Sequence, residues 1–552
     1  MHSIGKFRHI LSRAGAILLA AGVCFGLLAL AGCGKDDGAG KVVNYPVEEA
    51  PRRLDPAVAR SASELLVVGN CMEGLVREDA EGKLVPGVAE RWETSPDGKV
   101  LTFFLRRDNA WRLPDAAEEL LGEDALRAMG AYSPEEGSPL VAPVTAEDFV
   151  FGLRRALRPG VNAPGAALLL PILNAGKIRA GEMPESALGV QAAGRLTLEI
   201  ALESPGEAFL HALARGAAMP CSQAYFEACG GRYGLEPKYL PCNGPFYLDR
   251  MGDTLTRLRP HEGYRDGEGE MALPARVDIW TKPDERLRAQ MVGTEYDAAI
   301  VPERLEGGLP EGVTSRALKN ATLALVFNCG AGALEDVNVR AALCAALEPG
   351  ALGIAPIGLL PDAVRAGGEN YREAAGPPDG IKYDLQRAYA LAESAGEKIT
   401  LRLVCAPAHE TLLRRALQAW QKVFRLGLEA QIEPLEPEDL EKRLAAGDFD
   451  IAVAGLRMEH SAAPEALRDL GGDGNLARFS SPTLDALLAA AARTGDMARA
   501  CLQAEEHLLQ NGVYYPLEAG AGALLVAPGV EGLEVSPAGD QVYFARVRKW
   551  EA

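Results

Sequence analysis

From about residue 281 onward the chain alternates between the period of a helix and the period of a strand, and this limits the fold more than any other feature. Leu323 to Phe327 is an apolar run of strand length, and Val337 to Leu347 has helical spacing. Tyr383 to Ser394 reads as helix, Ile399 to Cys405 as strand, Leu412 to Phe424 as helix and Leu428 to Ile432 as strand. An acid-capped helix over Leu435 to Ala446, a strand over Phe449 to Val453, and helices over Pro482 to Ala492 and Met497 to Leu509 complete the series. Repeated crossovers of this kind predict α/β lobes whose sheets are covered on both faces.

The rest of the chain is less regular. A short strand is expected over Val42 to Val47, with Leu54-Asp55-Pro56 turning the chain out of it, and a helix within residues 63 to 76. Turn signals around Gly82 and in SPDGK frame a hairpin that closes on Asn109-Ala110-Trp111. Residues 113 to 143, rich in Glu, Ala and Pro, read as an inserted excursion with a short helix at EELLGEDALRAM. Thr145 then caps a helix with the apolar stripe Phe149, Leu153, Ala156 and Leu157. Further strands are expected at Leu196 to Leu202, Phe246 to Leu248, Arg276 to Trp280, Leu524 to Ala527 and Val542 to Arg546, with Phe209 to Leu213 in a helix. A length of 552 residues is too great for one core and enough for two to four domains.

The first forty residues have the zones of an exported precursor: Lys6, Arg8, His9 and Arg13, then an uncharged run from Ala14 to Leu30. That run is shorter than the roughly 20 residues that span a bilayer, and suits a cleaved signal better. It ends in Leu30-Ala31-Gly32-Cys33, which resembles the lipobox of bacterial lipoproteins and implies lipid on Cys33. A transmembrane anchor, or an ordinary signal with a chance cysteine, is the alternative. Residues 34 to 41 would then be a flexible tether.

With 48% hydrophobic and 24% charged residues the chain is globular, and its net charge of −19 repels nucleic acid and anionic lipid. Lipid, not a basic patch, is therefore expected to hold it at a membrane. Ten cysteines are scattered along the chain. Cys221, Cys229 and Cys242 are near enough in sequence for one disulfide, while buried thiols are the alternative. No CxxC or HExxH occurs, and GAGAGALL at 518 to 525 lacks the lysine of a phosphate loop. No metal, cofactor or enzymatic activity is expected.

Taken in order, LDP at 54 to 56, EGLV at 73 to 76, PGVAERWETSPDGK at 86 to 99, TFFLRRDNAW at 102 to 111 and PVTAEDFVFGLRRAL at 143 to 157 form one pattern. It continues with GEMPESALGV at 181 to 190, NGPFYL at 243 to 248, VFN and DVNVRAAL near 326 to 343, AGDFDIAVAG at 446 to 455 and FSSPTLDALL at 479 to 488. This succession resembles the extracytoplasmic solute-binding proteins of ABC importers in the oligopeptide, dipeptide and nickel family, most of all its oligopeptide branch. The resemblance implies a periplasmic-binding-protein type II-like α/β fold, with two main lobes hinged around a ligand cleft and an additional third lobe. Residues 42–67, 191–280 and 513–552 would build the hinge-side lobe, 68–190 the extra lobe and 281–512 the opposing lobe.

The same resemblance implies a monomer that captures short peptides outside the membrane and delivers them to permease and ATPase subunits. It places a strand edge for ligand backbone at Leu325, Val326, Phe327 and Asn328, with Asn328 a candidate for direct bonding and Val326 and Phe327 plain core as the alternative. Asn243 would lie near the hinge strand, in a turn whose role could equally be structural. The carboxylate for the peptide's ammonium group falls on Glu459, flanked by Arg457 and His460 in a loop where relatives carry aspartate and aromatic residues. A solvated Glu459–Arg457 pair is the alternative. Other cargo stays open, whether a nickel chelate, haem, a sugar oligomer or a signalling peptide, as does an adhesion or chaperone-like lipoprotein of the same fold.

Overall fold

The computed structural model describes residues 41–79, 82–161, 163–205, 208–266, 273–301, 308–318, 320–352, 358–366, 369–395, 398–458, 462–472, 474–491, 496–519, 522–536 and 541–550. Its first strand, β1 (Val42–Val47), has the expected bounds and alternates partly exposed with buried residues at its start. Helix α1 (Ala62–Cys71) begins with a reciprocal cap, in which Glu64 N–H donates to Ser61 Oγ at 3.2 Å and Ser61 N–H to Glu64 Oε2 at 3.3 Å. Strands β2 (Ala89–Thr94) and β3 (Val100–Leu105) form the expected hairpin.

The inserted excursion does carry a helix, Ala117–Met129, broken at Gly122 by a left-handed φ of 73°. Helix α2 (Ala146–Leu157) starts where Thr145 predicts, with Thr145 N–H donating to Asp148 Oδ2 at 2.8 Å. Strands β4 (Val190–Gly194) and β5 (Thr197–Ala201) complete a sheet of order β2-β3-β5-β4. A short helix, α3 (Ala208–Ala212), follows. Strands β6 (Phe246–Arg250), β7 (Leu255–Pro260) and β8 (Arg276–Thr281) join β1 in a second sheet, β1-β8-β7-β6, with β1 parallel to β8. The leading strand thus finds its partner more than two hundred residues away, as a six-residue strand must if it cannot stand alone.

β9 (Ala298–Val301) and β10 (Thr314–Ala317) are the outer strands of a third sheet. The chain then enters β11 (Ala321–Phe327), whose seven residues are all buried. β12 (Ile399–Cys405), helix α4 (Glu410–Phe424), β13 (Leu428–Pro434), helix α5 (Pro437–Ala446) and β14 (Ile451–Arg457) supply the expected crossovers. Helices α6 (Ala463–Gly471) and α7 (Met497–Gln510) precede β15 (Tyr514–Ala519), which closes a five-stranded sheet of order β13-β12-β14-β11-β15. Its two faces follow from the period of two. Leu323, Leu325 and Phe327 pack with Trp420 of α4, whereas Ala324 and Val326 pack with Leu467 of α6 and Leu508 of α7. Finally β16 (Ala523–Val526) returns between β9 and β10.

The apolar cores divide the chain differently from the three lobes expected. One continuous core runs from Val43 to Leu318 and resumes at Ala523, so that the hinge-side and extra lobes share it. The cores on the two faces of the five-stranded sheet span Leu323 to Leu517. Residues 281 to 318, expected in the opposing lobe, contribute β9 and β10 to the larger body because both pair with β16.

Candidate functional site

The two bodies are joined by neighbouring chain segments. β10 leads into β11, and β15 leads into β16; β11 pairs antiparallel with β15, and β10 with β16. Leu318 N–H donates to Gly522 O at 2.7 Å between the two crossings. A pair of adjacent strands can bend together while each body keeps its own core, which is the geometry of a hinge. Ligand chemistry is then to be sought on the surfaces that the bodies turn toward each other.

Ionisable side chains of the two bodies come within electrostatic reach of one another. On the larger body, Glu78 Oε1 lies 2.6 Å from His211 Nδ1, and Glu78 Oε2 accepts from Arg215 Nη2 at 3.2 Å. All three groups are largely shielded from water. From the opposing lobe, Glu465 in the first turn of α6 lies within electrostatic reach of His211. Burial is the main cause that pushes the Glu465 carboxyl above its ordinary range, against the opposing pull of Arg468. Arg468 Nη1 stands 3.9 Å from Glu465 Oε1, and the second oxygen, Oε2, is buried with no hydrogen-bond partner.

The residues expected to bind ligand fall in several places. Leu325 and Val326 lie on β11, paired to β14 on one side and β15 on the other. Phe327 N–H donates to Val513 O at 3.1 Å and Asn328 N–H to Asp450 O at 2.9 Å. The strand has no free edge here, which corrects the expectation that these residues offer backbone groups to a peptide. Asn328 is also occupied, since its Nδ2 donates to Phe449 O at 2.9 Å and Gly447 O at 3.2 Å while its Oδ1 accepts from Gly330 N–H. It ties β11 to the entry of β14.

Asn243 is a second structural clamp, fully buried. Its Nδ2 donates to Glu73 O at 2.9 Å, and its Oδ1 accepts from Glu73 N–H at 3.1 Å. Glu73 in turn accepts from Arg106, Asn109 and Tyr264. Arg457 ends β14 opposite Ala321. Glu459, His460 and Cys33 lie outside the described residues.

His211, Glu78 and Glu465 were not singled out as ligand-facing in the sequence. Pro464 and Glu465 ahead of Leu467 and Leu470 do carry a helix-start pattern that could have located α6. The nearness of Glu465 to His211 joins residues far apart in the chain and leaves no local trace. The eight described cysteines, including Cys221, Cys229 and Cys242, are free thiols. Burial pushes the Cys221 thiol up to about 12 and that of Cys229 to about 11. Among the described residues no three His, Cys, Asp or Glu side chains converge to hold a metal ion, and no helix is long and apolar enough to cross a membrane.

Comparison with known proteins gives these surfaces a setting. Residues 83–477 match the profile described as bacterial extracellular solute-binding proteins, family 5 Middle. The periplasmic oligopeptide-binding protein OppA of Haemophilus influenzae is 24% identical over 91% of this chain and 92% of its own. A protein of Escherichia coli described as the probable deoxycholate-binding periplasmic protein YgiS is 26% identical over 91% of this chain and 92% of its own. Among solved structures, the Escherichia coli murein tripeptide binding protein MppA superposes with a TM-score of 0.70 at 23% identity, over 94% of this chain and all of that one.

Proposed function

The chain belongs to the bacterial extracellular solute-binding proteins of family 5, and from that premise we propose that it captures short peptides for an ABC importer. It has the α/β fold of type II periplasmic-binding proteins, which the solved relatives share. The observation that carries the reading is the pair of adjacent strands joining two separately packed bodies, with Glu465 of one within electrostatic reach of His211 of the other. A ligand enclosed there loses water on both sides, so each of its charges and amides needs a partner from the protein.

Glu459 supplies the carboxylate for the peptide's N-terminal ammonium group in this reading. Glu459→Gln should then weaken tripeptide binding well beyond tenfold, as measured by titration calorimetry. An unchanged dissociation constant would remove Glu459 from the site.

The likeness to a protein described as deoxycholate-binding favours a second reading, an amphipathic anion, which would have to compete with Glu78 for Arg215 and His211. Native mass spectrometry of the domain purified from its own cells separates the two: a peptide mass supports the first reading and a sterol mass the second.

Lipid on Cys33 would keep this binding body beside the permease and raise its local concentration there. Cys33→Ala should move the protein from the membrane fraction to the soluble fraction, leaving the calorimetric affinity of the isolated domain as it was. Retention in the membrane would count against the anchor.

A further inference from the structure

Two cysteines far apart in the chain meet inside the larger body. Cys71 is the last residue of α1 and Cys242 lies just ahead of β6, and both are fully buried in the same apolar core. Hydrogen bonds to the backbone hold their segments side by side. Gly244 N–H donates to Cys71 O at 3.0 Å, and the Asn243 side chain clamps the backbone of Glu73 through its Nδ2 and Oδ1. The approach is so close that a Cβ on Gly244 would fall 2.8 Å from the Cys71 carbonyl carbon. The sulfurs are neighbours as well: the Cys71 thiol donates to Cys242 Sγ, and the Cys242 thiol donates onward to Leu240 O at 3.5 Å. Cys229, nearer to Cys242 in sequence, turns its thiol to Tyr239 O at 3.8 Å. The partner that the fold gives Cys242 is thus not one that sequence proximity suggests.

We propose that Cys71 and Cys242 are joined as a disulfide when the protein folds outside the cytoplasm, stapling the end of α1 to the entry of β6. The family works in the extracytoplasmic space, where thiols are open to oxidation. The oxidant is a protein of the thiol–disulfide oxidoreductase class, and the bond forms by exchange. One cysteine, as thiolate, attacks the oxidant's S–S bond and expels one of its sulfurs; the second cysteine then attacks this mixed disulfide and expels the other. Two electrons and two protons pass from the cysteine pair to the oxidant, which leaves as a dithiol. Both positions are closed to water in the finished fold, so the exchange precedes closure of the core. A link between points this distant in sequence removes freedom mainly from the unfolded chain and so stabilises the folded body. The inference is independent of the cargo.

The test takes the protein from its own cells, denatures it in excess N-ethylmaleimide without reductant, and maps tryptic peptides by mass spectrometry. Residues 61–77 and 239–250, which trypsin releases with one cysteine each, should appear as a single linked species that separates on reduction. Both peptides carrying maleimide overturn the inference, and so does Cys242 joined to Cys221 or Cys229. Urea unfolding supplies the second measurement. The linked protein should unfold at a higher urea concentration than the same protein after reduction, and Cys71→Ser should abolish that difference. Equal midpoints for the linked and reduced forms, or a difference that persists in Cys71→Ser, would remove the staple.

Discussion

Replacing Arg155 with alanine is expected to cost the folded chain about 3 to 5 kcal/mol. Arg155 lies on α2, and its guanidinium grips the Asp55 carboxylate with both prongs, Nη1 to Oδ2 at 2.7 Å and Nη2 to Oδ1 at 2.6 Å. Both residues are buried, and the guanidinium also covers the ring of Phe226 at 4.6 Å. Asp55 is the acid of Leu54-Asp55-Pro56, and its Oδ1 additionally accepts from Ala57 N–H at 3.1 Å. The pair therefore fastens the N-terminal turn to a helix one hundred positions along the chain.

Removing the cation leaves a largely buried carboxylate with the Ala57 N–H as its remaining donor. Denaturant unfolding followed by tryptophan fluorescence measures the loss, with Trp111 reporting from the same body. The double variant Asp55→Leu with Arg155→Met removes both charges and should recover most of the stability. A loss below about 1 kcal/mol in the single variant would place the pair among the weak, solvated kind.

Nothing in the LDP segment announces this role, and the limits of sequence reading are physical. Strands such as Ile399–Cys405 have the expected bounds because Ile399, Leu401 and Leu403 alternate with exposed Thr400 and Arg402 before the buried run Leu403–Cys405. β15 is hidden in the sequence by Pro516, which argues against a strand. In the fold, Pro516 sits on the outer strand of the sheet, beside a register shift, where a missing N–H is tolerated. β10 carries no strand signal because all four of its residues are exposed and show no alternation, so the sequence does not mark where the larger body ends. As for the site, Asn243 and Asn328 have the polarity of ligand-binding residues, yet each spends its amide on backbone from another part of the chain. Only the three-dimensional partner decides between those roles.

Glu505 gives the opposing lobe its counterpart to the Asp55–Arg155 pair, and Glu505→Ala should cost about 3 to 5 kcal/mol. The residue is fully buried on α7. Its Oε1 accepts from Leu359 N–H at 2.7 Å, Leu360 N–H at 3.2 Å and Arg372 Nη2 at 2.7 Å, and its Oε2 accepts from the Tyr371 hydroxyl at 2.7 Å. The packing around it is tight: a Cβ on Gly358, whose φ is +117°, would fall 2.4 Å from Arg372 Nη2 and 2.7 Å from Glu505 Oε1. Four donors lose their acceptor at once in the alanine variant, and one of them carries a charge. Glutamine restores the shape without the charge and, turning an NH₂ toward some of those donors, should recover only part.

Because the two bodies have separate cores, this loss should be local. Amide exchange in Glu505→Ala should quicken across β11, β12 and β14 while β6, β7 and β8 keep their protection. Equal acceleration in both bodies would mean that they unfold as one unit, and the hinge would then join parts of a single cooperative structure. α6 packs beside α7, so the same variant should also loosen α6 before the larger body is affected.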